Sequence, residues 1–137
     1  MRITIYGTGA FGLAITSILE KDNEVTLWTK LEDERKELET TRQLNKYLNN
    51  YKISDNVRVT TNIEESIKNK DLLIIALPSP FITDLLKSMS LYIKDNNILV
   101  VSKGLTDENL LISEAINKYL DTDNYAVMQG GTFAADI

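Results

Sequence analysis

Two rhythms of apolar residues take turns along this chain. Residues 2–6 (RITIY) are short and rich in β-branched side chains, a strand pattern. After GTGAFG, residues Phe11, Ala14, Ile15, Ile18 and Leu19 recur at spacings of three and four, which predicts an amphipathic helix. KDNE reads as a turn and EVTLWT as a second strand. From Leu31 to Leu48 the chain is highly charged with a thin apolar line of Leu31, Leu38, Leu44 and Leu48. This predicts a long surface helix, broken near Thr40 and Thr41. Residues 49–56 have no period, VRVTT reads as a short strand, and IEESIKN as a short helix. DLLIIALP is apolar without alternation, as in a strand covered on both faces of a parallel sheet. Pro78 and Pro80 end it, a helix is predicted from Phe81 to Tyr92, and NNILVVSKG repeats the buried-strand pattern. ENLLISEAINKYL is amphipathic, with Leu110, Leu111, Ile116 and Leu120 as core candidates, and NYAVMQGG is the last strand.

Strands without alternation, helices between them and loops of a few residues predict a doubly wound α/β fold. Its sheet is mainly parallel, with helices on both faces. With 137 residues, no repeats and no linker-like stretch, residues 1–137 read as a single domain. A net charge of −5 without a basic stripe argues against nucleic-acid binding. The absence of cysteine and histidine removes disulfides, thiol nucleophiles and the commonest metal ligands, so no metal site is expected. The apolar runs are too short to span a bilayer and Met1 leads directly into a strand, so the reading is a cytoplasmic protein without a membrane partner.

Gly7, Gly9 and Gly12 form GxGxxG between a strand and a helix. In that setting the first glycine makes the tight turn and the second lets backbone approach a pyrophosphate. The third lets helix and strand pack closely, while the helix N-terminus favours the anion. The pattern predicts a Rossmann-like dinucleotide-binding fold. The second strand ends in Trp28-Thr29-Lys30, with no acid before Glu32 to read a ribose. Lys30 is either a solvated lysine or a group that tolerates a 2′-phosphate, so both NAD and NADP stay open as cofactors.

Ligands of such sheets sit outside the carboxyl ends of the strands. LPSPF places Phe81 there, either beside a nucleotide or as helix core. SKGL places Lys103 at the tip of a buried strand, where it either holds an anionic or carbonyl oxygen or is simply exposed. GGTFAAD offers backbone amides and the Thr132 hydroxyl.

Taken in order, GTGAFG, EVTLWTK, LPSPF, VSKGL and GGTFAADI resemble NAD(P)-dependent glycerol-3-phosphate dehydrogenase over essentially the whole chain. The pair VSKGL and G-x-T-F-A is the most specific part. The resemblance implies that Ala10 and Phe11 cover the cofactor phosphates, that Lys30 lies near its ribose, and that Phe81 and Ala134 contact it. It implies that Lys103 touches both cofactor and substrate, and that Gly130 and Thr132 contact substrate. Two positions depart from the family: Gly131 stands where it usually has Pro, and Asp136 where it usually has Glu.

The implied activity is hydride transfer between a nicotinamide cofactor and dihydroxyacetone phosphate, giving sn-glycerol 3-phosphate for phospholipid synthesis. The intact enzyme is expected to be a homodimer. The family's proton-donating lysine lies in a helical substrate domain that these 137 residues do not contain, so this chain is expected to bind cofactor with negligible turnover. Two alternatives are a stand-alone dinucleotide-binding or regulatory module, and a related ketopantoate-type reductase.

Overall fold

The structure, a computed structural model, describes residues 1–137 except Asn45, Asn49, Thr132 and the side chain of Asp136. Six strands form its sheet: β1 (Arg2–Tyr6), β2 (Glu24–Trp28), β3 (Arg58–Thr60), β4 (Leu72–Ile75), β5 (Asn97–Val100) and β6 (Tyr125–Val127). Among the described residues five α-helices connect them: α1 (Ala10–Leu19), α2 (Glu32–Thr41), α3 (Ile63–Ile67), α4 (Ile82–Met89) and α5 (Ile112–Tyr119). The order across the sheet is β3-β2-β1-β4-β5-β6, and every pairing is parallel. The doubly wound fold predicted from periodicity is therefore the one observed, with the reversal of winding between β1 and β4.

Alternate residues of the buried strands feed two cores. Tyr6, Trp28, Leu73, Ile75, Ile98 and Val100 face one side, where α4 and α5 add Ile82, Leu86, Met89 and Ile116. Ile3, Ile5, Val25, Leu27 and Ile74 face the other, packed with Leu13 of α1 and Leu38 of α2. Because both faces are covered, no polar alternation is left in the sequence of β4, and even Thr4 of β1 is fully buried.

The long helix expected over residues 31–48 is only partly present. It stops at Thr41, at the predicted break, because Arg42 takes a left-handed conformation (φ 61°) and its N–H returns to the Leu38 carbonyl. Arg42 then anchors the irregular segment after it. Its guanidinium donates to the Ser54 and Val57 carbonyls, and its own carbonyl accepts from Ile53 N–H at 2.7 Å. Leu44 is buried in the second core, although it lies outside any helix. Three predicted core positions are on the surface instead: Ile18, Leu31 and Leu111. Leu31 and Leu111 are the residues that precede the first turns of α2 and α5, where the helical stripe has not yet begun. The helix expected at Phe81 starts as a short 3-10 turn (Ser79–Phe81) and becomes α-helical at Ile82. Among the described residues no helix is long and apolar enough to cross a membrane.

Candidate dinucleotide and substrate site

Lateral register brings the strand ends into one line. Tyr6 pairs with Trp28 and Ile75, Ile75 with Val100, and Val100 with Val127. Backbone bonds continue one step past each strand: Gly7 N–H to Trp28, Ala76 to Tyr6, Val101 to Ile75 and Met128 to Val100. The loops that carry Gly7, Pro78, Lys103 and Gly130 therefore all leave from the same edge.

The glycine loop at this edge has two kinds of glycine. Gly7 has φ +120°, and a Cβ there would lie 2.8 Å from the Ala76 carbonyl oxygen. At Gly12 a Cβ would lie 2.1 Å from the Gly7 carbonyl oxygen. Both are required by the protein's own packing. Gly9 is different: its φ of −70° suits any residue, and no protein atom lies within 4 Å of an added Cβ. It precedes α1 with no side-chain cap, and the first turn holds no acidic residue. Helix N-terminal amides have no partner within the helix, so this open end suits a phosphate.

The first turn of α1 and two loops distant in sequence meet in a cleft of about 200 Å³ lined by Phe11, Val101, Lys103, Met128, Gln129 and Gly130. Lys103 is exposed and follows a buried pair, Val101 and Ser102. Ser102 Oγ donates to the Leu77 carbonyl at 2.5 Å, and Ser79 Oγ lies 3.5 Å from where a Gly104 Cβ would be. The Ser102 bond thus ties the Lys103 segment to the segment after β4, and the turn at Gly104 (φ +87°) passes close beside it. A larger hollow, about 540 Å³, opens at the opposite edge between Arg2, Lys21, Glu24 and Asp71. That edge lies at the amino ends of the strands, and Arg2 and Asp71 already pair with each other there. The smaller cleft is the better candidate because it lies where doubly wound sheets bind ligands.

Among the sequence-predicted site residues, Phe11, Lys103 and Gly130 line this one cleft. Gly7, Gly9, Ala10 and Gly12 form the adjoining turn and helix start. Ala134 lies in a short 3-10 turn (Ala134–Asp136) that packs against α1. Phe81 is exposed (58%), so its reading as helix core is excluded. Lys30 is exposed beyond β2 and is not among the residues lining the cleft. Thr132 lies outside the described residues.

One charged group behind the loop escaped the sequence reading. Glu34 of α2 is 5% exposed. Its Oε2 accepts from Thr8 Oγ1 (2.6 Å) and Thr29 Oγ1 (3.1 Å), and its Oε1 from Tyr47 Oη (2.9 Å). Lys46 Nζ stands 3.3 Å from Oε1. Burial works against ionisation, but hydrogen bonds from Thr8, Tyr47, Lys46 and Thr29 outweigh it and hold the carboxyl below the usual range. In sequence Glu34 is one acid in the charged run EDERKELE, and nothing in that run marks it.

A family model described as "NAD-dependent glycerol-3-phosphate dehydrogenase N-terminus" matches residues 2–137. The chain belongs to this family. A glycerol-3-phosphate dehydrogenase [NAD(P)+] of Fusobacterium nucleatum is 34% identical, covering 100% of this chain and 42% of the relative. The crystal structure of glycerol-3-phosphate dehydrogenase from Coxiella burnetii superposes with a TM-score of 0.91 at 26% identity, over 98% of this chain and 42% of that one. A putative 2-dehydropantoate 2-reductase from Enterococcus faecalis has a TM-score of 0.68 at 22% identity, covering 93% of this chain and 40% of that one, a likeness of fold alone. The chain thus spans about two fifths of the length of the curated glycerol-3-phosphate dehydrogenases it matches.

Proposed function

We propose that residues 1–137 form one dinucleotide-binding domain of a glycerol-3-phosphate dehydrogenase, acting on dihydroxyacetone phosphate and sn-glycerol 3-phosphate with NAD or NADP. The observation that carries this reading is the meeting of Phe11, Lys103 and Gly130 at one cleft beside the glycine loop. The open space at Gly9 fits the cofactor's pyrophosphate, since the packing of the fold alone gives no reason for glycine there. The turn at Gly7 and Gly9, with the Ala10, Phe11 and Gly12 amides, would hold that group, and Phe81 and Ala134 would flank the nucleotide.

When bound, the nicotinamide supplies the hydride that reduces the substrate's ketone, or takes it back in the reverse direction. The Lys103 ammonium holds the ketone oxygen and stabilises the negative charge that develops on it. On the family pattern Gly130 and Thr132 would contact the substrate, and Phe11 lines the cleft beside them. On the family pattern the proton for that oxygen comes from a lysine outside these residues. The place in phospholipid synthesis and the homodimer follow from the family resemblance, and the cytoplasmic location from the short apolar runs.

Calorimetric titration with NADH and with NADPH tests the cofactor assignment. Saturable heat from at least one is expected, and no heat from either at millimolar concentration would overturn it. Adding dihydroxyacetone phosphate and NADH to the chain should give negligible turnover. Lys103→Met should leave nucleotide affinity within roughly tenfold while abolishing any substrate-dependent change in bound NADH fluorescence.

A further inference from the structure

We infer that Glu34 is a specificity-determining residue that sets the site against dinucleotides bearing a 2′-phosphate. The inference rests on the dinucleotide reading above and concerns the ribose end of that same site.

In doubly wound dinucleotide folds the ribose is read about 20 residues beyond the glycine loop, at the tip of the second strand. Here that position is Thr29, the residue after β2. Thr29 carries no charge, but its hydroxyl donates to Glu34 Oε2 at 3.1 Å. The same oxygen accepts from Thr8, which stands between the first two glycines, at 2.6 Å. A carboxylate supplied by the first turn of α2 thus occupies the place beneath the ribose-reading tip, where the strand itself offers no acid. Its two oxygens take four donors, counting Tyr47 and Lys46, so both its charge and its position are fixed.

Two consequences work in the same direction. The negative charge is buried and poorly screened, so it repels a second anion brought to the strand tip. The protons of the Thr8 and Thr29 hydroxyls are already committed to Glu34, so neither is available to a phosphate, which has only acceptors to offer. Two cations oppose this: Lys46, whose exposed side chain neutralises part of the Glu34 charge, and Lys30, exposed beside Thr29. The discrimination is the balance of these charges, and it moves in opposite directions when one or the other is removed.

The test is titration of the 137-residue chain and two variants with NADH and NADPH at low ionic strength, with circular dichroism to check folding. Glu34→Gln keeps the shape and removes the charge. It is expected to raise NADPH affinity relative to NADH on the order of tenfold. Lys46→Met removes the opposing cation from an exposed side chain and should shift the same ratio toward NADH. An equal fall of both affinities in Glu34→Gln marks a merely structural residue and overturns the inference, as does an unchanged ratio in both variants. If Glu34→Gln does not fold, Lys46→Met decides alone by the direction of its shift. A wild-type chain that binds neither nucleotide overturns the cofactor reading itself, and the role of Glu34 with it.

Discussion

At Gly9 and Gly12 the same residue type serves opposite ends, and substitution by alanine separates them. A methyl at Gly12 meets the Gly7 carbonyl, a backbone atom that cannot rotate away. Gly12→Ala should therefore lose about 1–3 kcal/mol or more of stability by urea unfolding, an overpacking cost. A methyl at Gly9 meets no protein atom. Gly9→Ala should stay within about 1 kcal/mol of wild type, the residual cost of a poorer helix cap. It should nonetheless weaken nucleotide binding roughly tenfold, because the methyl stands where backbone must approach a phosphate. Equal stability losses in the two variants would show that Gly9 is needed by the fold and not by the ligand. The three glycines were legible in the sequence because their spacing is periodic with the strand–helix junction. Glu34 was not, since its partners Thr8, Thr29 and Tyr47 come together only when α2 lies against the loop.

Between elements, a buried polar tie links β1 to the last turn of α3. Thr4 Oγ1 donates to the Ser66 carbonyl at 2.6 Å, and Tyr6 Oη lies 2.9 Å from Ser66 Oγ. Ser66 Oγ has one proton and donates it to the Ile63 carbonyl, so Tyr6 is the donor to Ser66. Burial pushes the Tyr6 phenol above its ordinary range, and so it keeps the proton it donates. Ser66→Ala should strand this hydroxyl inside the core and cost about 1–3 kcal/mol in thermal or urea unfolding. Tyr6→Phe in the same background should recover part of the loss, and an additive double variant would disprove the coupling. Element type was largely legible for a related reason. The unbroken apolar runs of β4 and β5 reflect burial on both faces, which the chain must encode in consecutive residues. The break near Thr41 was legible too, but the irregular segment after it was not, because Arg42 anchors that segment through carbonyls supplied by residues 54 and 57.

Across the whole molecule, large apolar side chains stay exposed on the segments that follow β4, β5 and β6. Phe81, Leu105, Met128 and Phe133 are each roughly half exposed or more. Exposed apolar groups gathered at one edge mark a surface made to be covered. The isolated chain should bind a hydrophobic dye and sediment with a concentration-dependent mass. Phe81→Ser combined with Phe133→Ser should reduce both without lowering the melting temperature. Unchanged dye binding in that double variant would place the sticky surface elsewhere.

The strand order also governs how the chain can be made. β1 lies in the middle of the sheet, and it pairs on one side with β2, whose residues follow closely: Arg2 sits opposite Glu24. Its other neighbour is β4, where Ile3 sits opposite Leu72. At synthesis rates of about 5–20 residues per second, β1 is on hand for roughly 4 to 14 seconds before its second partner emerges from the ribosome. During that interval a central strand of the finished protein presents an open row of amides and carbonyls, a template for any other strand in reach. The feature that places the glycine loop at the centre of the site therefore makes the nascent chain most vulnerable at its first strand.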